Sequence, residues 1–178
     1  MHRIIVLIFA FSASLSSFAQ SQALYEVQDM ITGEVRHEEY RNQNGSIIFT
    51  DIKTKEVISV TNCTNEETRC TTKSKYMEAT VNLPINVESL PLGSAMRGTL
   101  IVKEINRPNA TVHIVTISSI KVGKRKIVEM RSGDGTIESK VLMSEIYKMP
   151  FWAENKIFDP ETGHLVEHEV ITRIDVSI

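Results

Sequence analysis

Three groups of side chains in this 178-residue chain have types and spacing suited to chemistry. The first is basic. Lys121, Lys124, Arg125 and Lys126 surround Gly123, and cations crowded at a hairpin tip attract phosphate or carboxylate groups with an affinity that falls as salt rises. They belong to a longer block: Arg97 to Arg131 holds eight Lys or Arg and two acids, a balance of +6. Residues 20–96 carry −4 and residues 132–178 carry −5, so the net charge of −2 conceals a basic centre between acidic flanks. The competing expectation is that acidic strands beside the block neutralise it through cross-strand pairs.

The second group is Cys63 and Cys70, the only cysteines. Their spacing is not Cys-x-x-Cys, which argues against a redox-active pair, and no further metal ligands stand nearby. In an exported chain an even cysteine count around a short polar loop points to a structural disulfide. The third group is Met149-Pro-Phe-Trp152, with the only tryptophan. Phe151 and Trp152 are expected either to plug the end of a β-rich core or to line a cavity for a small apolar ligand.

Signals for catalysis are weak. There is no Gly-x-Ser-x-Gly elbow, no His-Glu-x-x-His, no phosphate loop and no dinucleotide-binding glycine pattern. His164 and His168 would stand roughly 13 Å apart along a strand, too far to share one metal. No metal or other cofactor is expected, and a hydrolase ranks a distant third among the functional readings.

The elements that would position these groups are β. Thr111 to Val122 is dense in Val, Ile and Thr, which are stiff at χ1 and suit a pleated surface. Val112, Ile114, Thr116, Ser118, Ile120 and Val122 share one face; His113, Val115 and Ile117 share the other. With apolar residues on both faces, this strand reads as central in a meander spanning Arg97–Arg131. A turn pattern recurs as Asp29-x-x-Thr32-Gly33, Asp51-x-x-Thr54-Lys55 and Asp159-x-x-Thr162-Gly163. An Asp that can cap the amides ahead of it, followed by a residue tolerant of positive φ, predicts a hairpin at each copy rather than a calcium loop.

Pro84 and Pro91 bracket an irregular stretch that reads as a crossover between two halves of the fold, or as a partner-facing loop. Residues 136–148 fit alternation slightly better than helical spacing, so a strand is expected there, with one short helix as the alternative. Val166, His168, Val170, Thr172, Ile174, Val176 and Ile178 form an apolar face opposite Glu167, Glu169, Ile171, Arg173 and Asp175. That pattern predicts a long last strand, near fifteen residues, with its apolar face buried and His168 satisfied by a hydrogen bond there.

Met1–Ala19 reads as a signal peptide: His2-Arg3, an apolar run from Ile4 to Phe11, and Ser17-Phe18-Ala19 before Gln20. The apolar run is too short to span a bilayer well. Residues 20–178 then form one domain, exported to the periplasm or beyond the cell.

The expected fold is all-β, an antiparallel sandwich or small barrel. Two functional expectations follow. One is a non-enzymatic binding domain that contacts a protein or an anionic envelope component through the basic hairpin. The other is a β-barrel carrier of a small apolar ligand, lined by Phe151, Trp152 and the Ile114–Ile117 stretch. Neither a nucleic-acid partner nor a membrane span is expected.

Overall fold

The structure, a computed structural model, describes residues 22–43, 45–64, 68–107, 109–123, 125–144 and 150–175. The segment read as a signal peptide, Lys124 and residues 145–149 lie outside them. Twelve strands follow in order: β1 (Gln22–Asp29), β2 (Val35–Gln43), β3 (Ser46–Asp51), β4 (Val57–Cys63), β5 (Arg69–Ser74), β6 (Met77–Asn82), β7 (Ala95–Glu104), β8 (Thr111–Val122), β9 (Arg125–Ser132), β10 (Ile137–Ser144), β11 (Pro150–Phe158) and β12 (Leu165–Arg173). Each pairs antiparallel with the next, and β12 returns to pair with β1, closing a barrel. The described residues contain no helix, and the segment at 136–148 is strand β10 as far as Ser144.

The hairpin turns explain why neighbours in sequence are neighbours in space. At β1–β2, β3–β4 and β11–β12 the same hydrogen bonds repeat. Asp29 Oδ1 accepts the amides of Ile31 and Thr32 at 2.8 and 3.0 Å. Asp51 Oδ1 accepts those of Lys53 and Thr54 at 2.8 and 2.7 Å, and Asp159 Oδ1 those of Glu161 and Thr162 at 3.0 and 2.8 Å. Five residues into each turn the chain adopts positive φ, at Gly33 (75°), Lys55 (61°) and Gly163 (68°). The amides of Thr54 and Lys53 hold the Asp51 carboxyl below its ordinary pKa. These three hairpins stand side by side at one end of the barrel, because β11, β12, β1, β2, β3 and β4 are consecutive around the ring.

A fourth turn at that end, β9–β10, is capped differently. Asp134 accepts bonds from the hydroxyls of Ser132 (2.5 Å) and Thr136 (2.7 Å), and from the Thr136 amide (3.1 Å). His113 Nδ1 lies 2.9 Å from its other oxygen. Partial burial would raise the Asp134 pKa, but these bonds outweigh it and hold the carboxyl well below the usual range. A carboxyl with a lowered folded pKa contributes stability above its unfolded value, about 4, and that contribution is lost as pH falls through the folded value. Between about pH 5 and about pH 3, the melting temperature of the native chain should therefore fall more steeply than that of Asp134→Asn. Parallel slopes in thermal melts would show that the cap contributes nothing.

Alternation sends every second side chain inward. Tyr25, Val27, Ile47, Val81, Leu100 and Val115 have no accessible surface. With Ala23, Tyr40, Phe49, Val128, Met130 and Val141 they form one buried apolar cluster inside the ring. The outer faces carry Glu26, Glu39, Arg41, Lys73, Glu78, Lys140 and Glu154, the reverse of a wall that faces hydrocarbon.

Three expectations are corrected here. First, the last strand is nine residues long and its faces are exchanged. Glu169 (4% exposed), Ile171 and Arg173 point into the barrel, while Val166 and Ile174 are exposed. The interior accepts the charges because each finds a partner. Arg36 makes a bidentate contact with Glu169 at 3.0 and 3.0 Å and donates to Glu38 at 2.5 Å. Burial alone would lower the Arg36 pKa, but the bonds to Glu169 and the charge of Glu38 push it above its ordinary value. At the opposite end Arg173 donates to both Asp175 oxygens at 2.7 and 3.2 Å, and buried Tyr25 donates its hydroxyl to the Pro150 carbonyl at 3.0 Å.

Second, His168 lies on the outer face, half-buried, 2.9 Å from Glu154 Oε1. Third, residues 83–94 are no crossover between halves. They join adjacent strands β6 and β7 and cover one end of the barrel with buried Leu83, Val87 and Leu90. Gly98 makes room for this cover, since a Cβ there would sit 2.5 Å from both the Asn82 carbonyl oxygen and Leu83 Cδ2. Because one of those atoms is backbone, Gly98→Ala should cost about 1–3 kcal/mol in chemical denaturation. An unchanged midpoint would mean that the cover moves aside freely.

Candidate partner-binding surface

The basic block folds into β7, β8 and β9, and alternation divides its cations between the two faces of the wall. Lys126 turns inward at the end of β9. Its ammonium donates to the carbonyls of Val87 (3.0 Å), Glu88 (3.2 Å) and Leu90 (3.1 Å). It therefore ties the 83–94 cover to the barrel, and its partial burial lowers its pKa against the opposing charge of Glu88. Lys121 and Arg125 are exposed at the hairpin tip. The four-cation cluster of the sequence is thus divided, with one member committed to holding the chain and Lys124 outside the described residues.

Part of the block lies near acids, across strands for Arg131 with Glu138 and within a short stretch of chain for Arg131 with Glu129 and Arg107 with Glu104. Arg131 lies 3.9 Å from Glu129 and from Glu138, Lys140 lies 3.5 Å from Glu129, and Arg107 lies 3.1 Å from Glu104. Among the described residues, Arg97, Lys103, Lys121 and Arg125 have no acid within ion-pair distance. Arg97 and Lys103 point outward from β7, beside the outer face of β8.

That outer face is the surface the sequence left unnoticed. Val112 (60%), Ile114 (55%), Ile120 (42%) and Val122 (53%) are exposed, interrupted by Thr116 and Ser118. The sequence placed β8 between two covered faces. In the barrel, one face meets the core through Val115, Ile117 and Ser119, while the other meets solvent. Apolar residues on both faces of the strand were the available signal; the pattern does not say whether a second layer covers the outer one.

Trp152 does not line the interior. Met143 pairs with Pro150 and Leu142 with Trp152, so Phe151 falls at an irregularity between them. Trp152 shares the outward parity of Leu142 and Thr172, and both aromatics are half-buried. Cys63 and Cys70 are direct partners across β4–β5, joined as a disulfide. The described residues contain no group of three or more His, Cys, Asp or Glu able to hold a metal ion, and no helix in them is long and apolar enough to cross a membrane.

The arrangement places Arg97, Lys103 and Arg125 around a solvent-exposed, partly aliphatic face of β8, with Lys121 at the tip. No protein-family model matches this chain, and no curated protein matches it.

Proposed function

We propose that this is an exported, non-enzymatic binding domain that engages an anionic component of the cell envelope through the outer wall of β7–β9. The observation that carries the reading is the exposed apolar face of β8 with Arg97, Lys103 and Arg125 on the same outer wall and Lys121 exposed at the hairpin tip, all without an acid at ion-pair distance among the described residues. Elsewhere on the outer wall a cation can find an acid across strands, as Lys73 does with Glu78 at 3.1 Å. Cations left unpaired beside exposed Val and Ile support a role in contact with a partner. The disulfide fits export to an oxidising compartment.

A small-ligand carrier has less support. It would need an open interior, whereas Val115 and Ile117 of its supposed lining are packed into the core, and Ile114 and Trp152 face outward.

The test uses two anionic probes, phosphatidylglycerol vesicles and polyaspartate, against residues 20–178. Binding to at least one should weaken strongly as the Debye length falls from about 10 Å at 0.1 M salt to about 3 Å at 1 M. The variant Arg97→Glu/Lys121→Glu/Arg125→Glu, folded by circular dichroism, should lose that binding. If neither probe binds at low salt, or if the charge-reversed variant binds as well, the reading fails.

A further inference from the structure

We infer that the anionic partner is a phospholipid bilayer surface, gripped by an apolar band at the hairpin-tip end of the barrel; this rests on the reading above. The band is set by register. Ile120 pairs with Ile127, Ile127 with Leu142, and Leu142 with Trp152, all with outward parity. Four side chains on four consecutive strands therefore stand at one level of the wall. At the spacing between neighbouring strands, the row is about 14 Å long. It ends where Trp152 pairs with Thr172.

The same end of the barrel presents further apolar surface. Val122 is 53% exposed and follows Ile120 on the outer face of β8. The Gly93 amide donates to the Ser119 carbonyl at 2.7 Å, which holds Leu92, 51% exposed, at this end as well. Of the two tip cations, Arg125 pairs with Val122 and shares the outer face beyond the row, while Lys121 stands opposite Lys126 on the other face, exposed at the tip. The result is a band of aliphatic side chains with one tryptophan, with Arg125 at its margin and Lys121 at the tip beside it.

Three properties favour a bilayer over an acidic protein. The band is a level row across four strands, a shape that meets a surface along its whole length. Its one aromatic is a tryptophan facing outward, and an indole with an apolar body and an N–H donor suits the boundary between headgroups and acyl chains. Arg125 lies at its margin and Lys121 at the adjoining tip, where anionic headgroups would meet them when the aliphatic residues enter the interface. The many outward charges elsewhere, such as Lys73, Glu78 and Glu39, keep the rest of the barrel in water, so the contact is peripheral.

Trp152 is the only tryptophan and reports on the band directly. Vesicles containing phosphatidylglycerol should shift its emission to shorter wavelength, and brominated acyl chains should quench it. Phosphatidylcholine vesicles should do so far less, because each lost cation–headgroup attraction weakens binding about fivefold. Ile120→Ser/Val122→Ser should abolish the quenching while leaving the melting temperature near that of the native chain, since both residues are exposed. Lys121→Glu/Arg125→Glu should lower the fraction of protein floating with anionic vesicles.

Two outcomes overturn the proposal. If polyaspartate binds with strong salt dependence while anionic vesicles neither bind nor quench Trp152, the partner is an acidic macromolecule and only the bilayer inference falls. If vesicles and polyaspartate both fail to bind, the anionic reading falls with it.

Discussion

Replacing Arg36 by Met is expected to lower the stability of the barrel by about 3–5 kcal/mol, the largest effect of any single change considered. The guanidinium is the one cation contacting both Glu38 and Glu169, and those side chains are only 5% and 4% exposed. Its removal takes the bidentate partner from the buried Glu169 carboxylate and the guanidinium from beside Glu38, which costs far more than the attraction itself contributes. The cost of stranding a charge and the worth of the pair are separate quantities, and a second substitution separates them. Arg36→Met combined with Glu38→Leu and Glu169→Leu removes all three charges and should recover most of the loss. Chemical denaturation of the single and triple variants measures both. A single variant within about 1 kcal/mol of the native chain would mean that water reaches the carboxylates and that the inner face of β12 is not sealed.

Removing the disulfide by Cys63→Ala/Cys70→Ala should cost about 2.5 kcal/mol, because the bond closes a loop of only eight residues in the unfolded chain. At about 2–4 °C per kcal/mol for a chain of this size, the melting temperature should fall by about 5–10 °C. The two cysteines are direct cross-strand partners, so the ladder between β4 and β5 remains to hold the pair in register. The variant should therefore fold to the same barrel, with unchanged far-ultraviolet dichroism. Failure to fold at all would assign the bond a role in forming the ring as well as stabilising it.

The local features of the fold were readable because their causes are local. The Asp-x-x-Thr-Gly/Lys pattern carries its own hydrogen-bond donors and acceptors within five residues, and all three copies form the turn their chemistry predicts. The strands β7, β8 and β9 follow from runs of Val, Ile and Thr. The choice between sandwich and barrel could not be made from such patterns, because it turns on one pairing between residues far apart in sequence, Tyr25 with Arg173 and its neighbours.

β12 was read inside out for a related reason. The rule that an apolar face is the buried face ignores where Arg36 lies, and Arg36 on β2 is what makes Glu169 admissible to the interior. The candidate surface was half readable. Its charge excess is plain in the composition, but which cations remain free depends on whether a neighbouring strand offers an acid at the matching register, as Glu138 does for Arg131 and nothing described does for Arg97. The exposed face of β8 and the outward turn of Trp152 depend on layer count and on an irregularity at Leu142/Met143, neither of which a single strand's pattern encodes.

The seam between β1 and β12 makes completion of this fold a late event. The other eleven pairings join strands adjacent in sequence and can form as hairpins within microseconds. The twelfth must bring together the two ends of the described chain, against the loop-closure entropy of nearly all the residues between them. Until it does, the first and last strands each offer a full row of unpaired amides and carbonyls, the kind of template that recruits other chains. A growing meander is thus open to association for as long as the search lasts, and closure of the ring removes both vulnerable edges in one step.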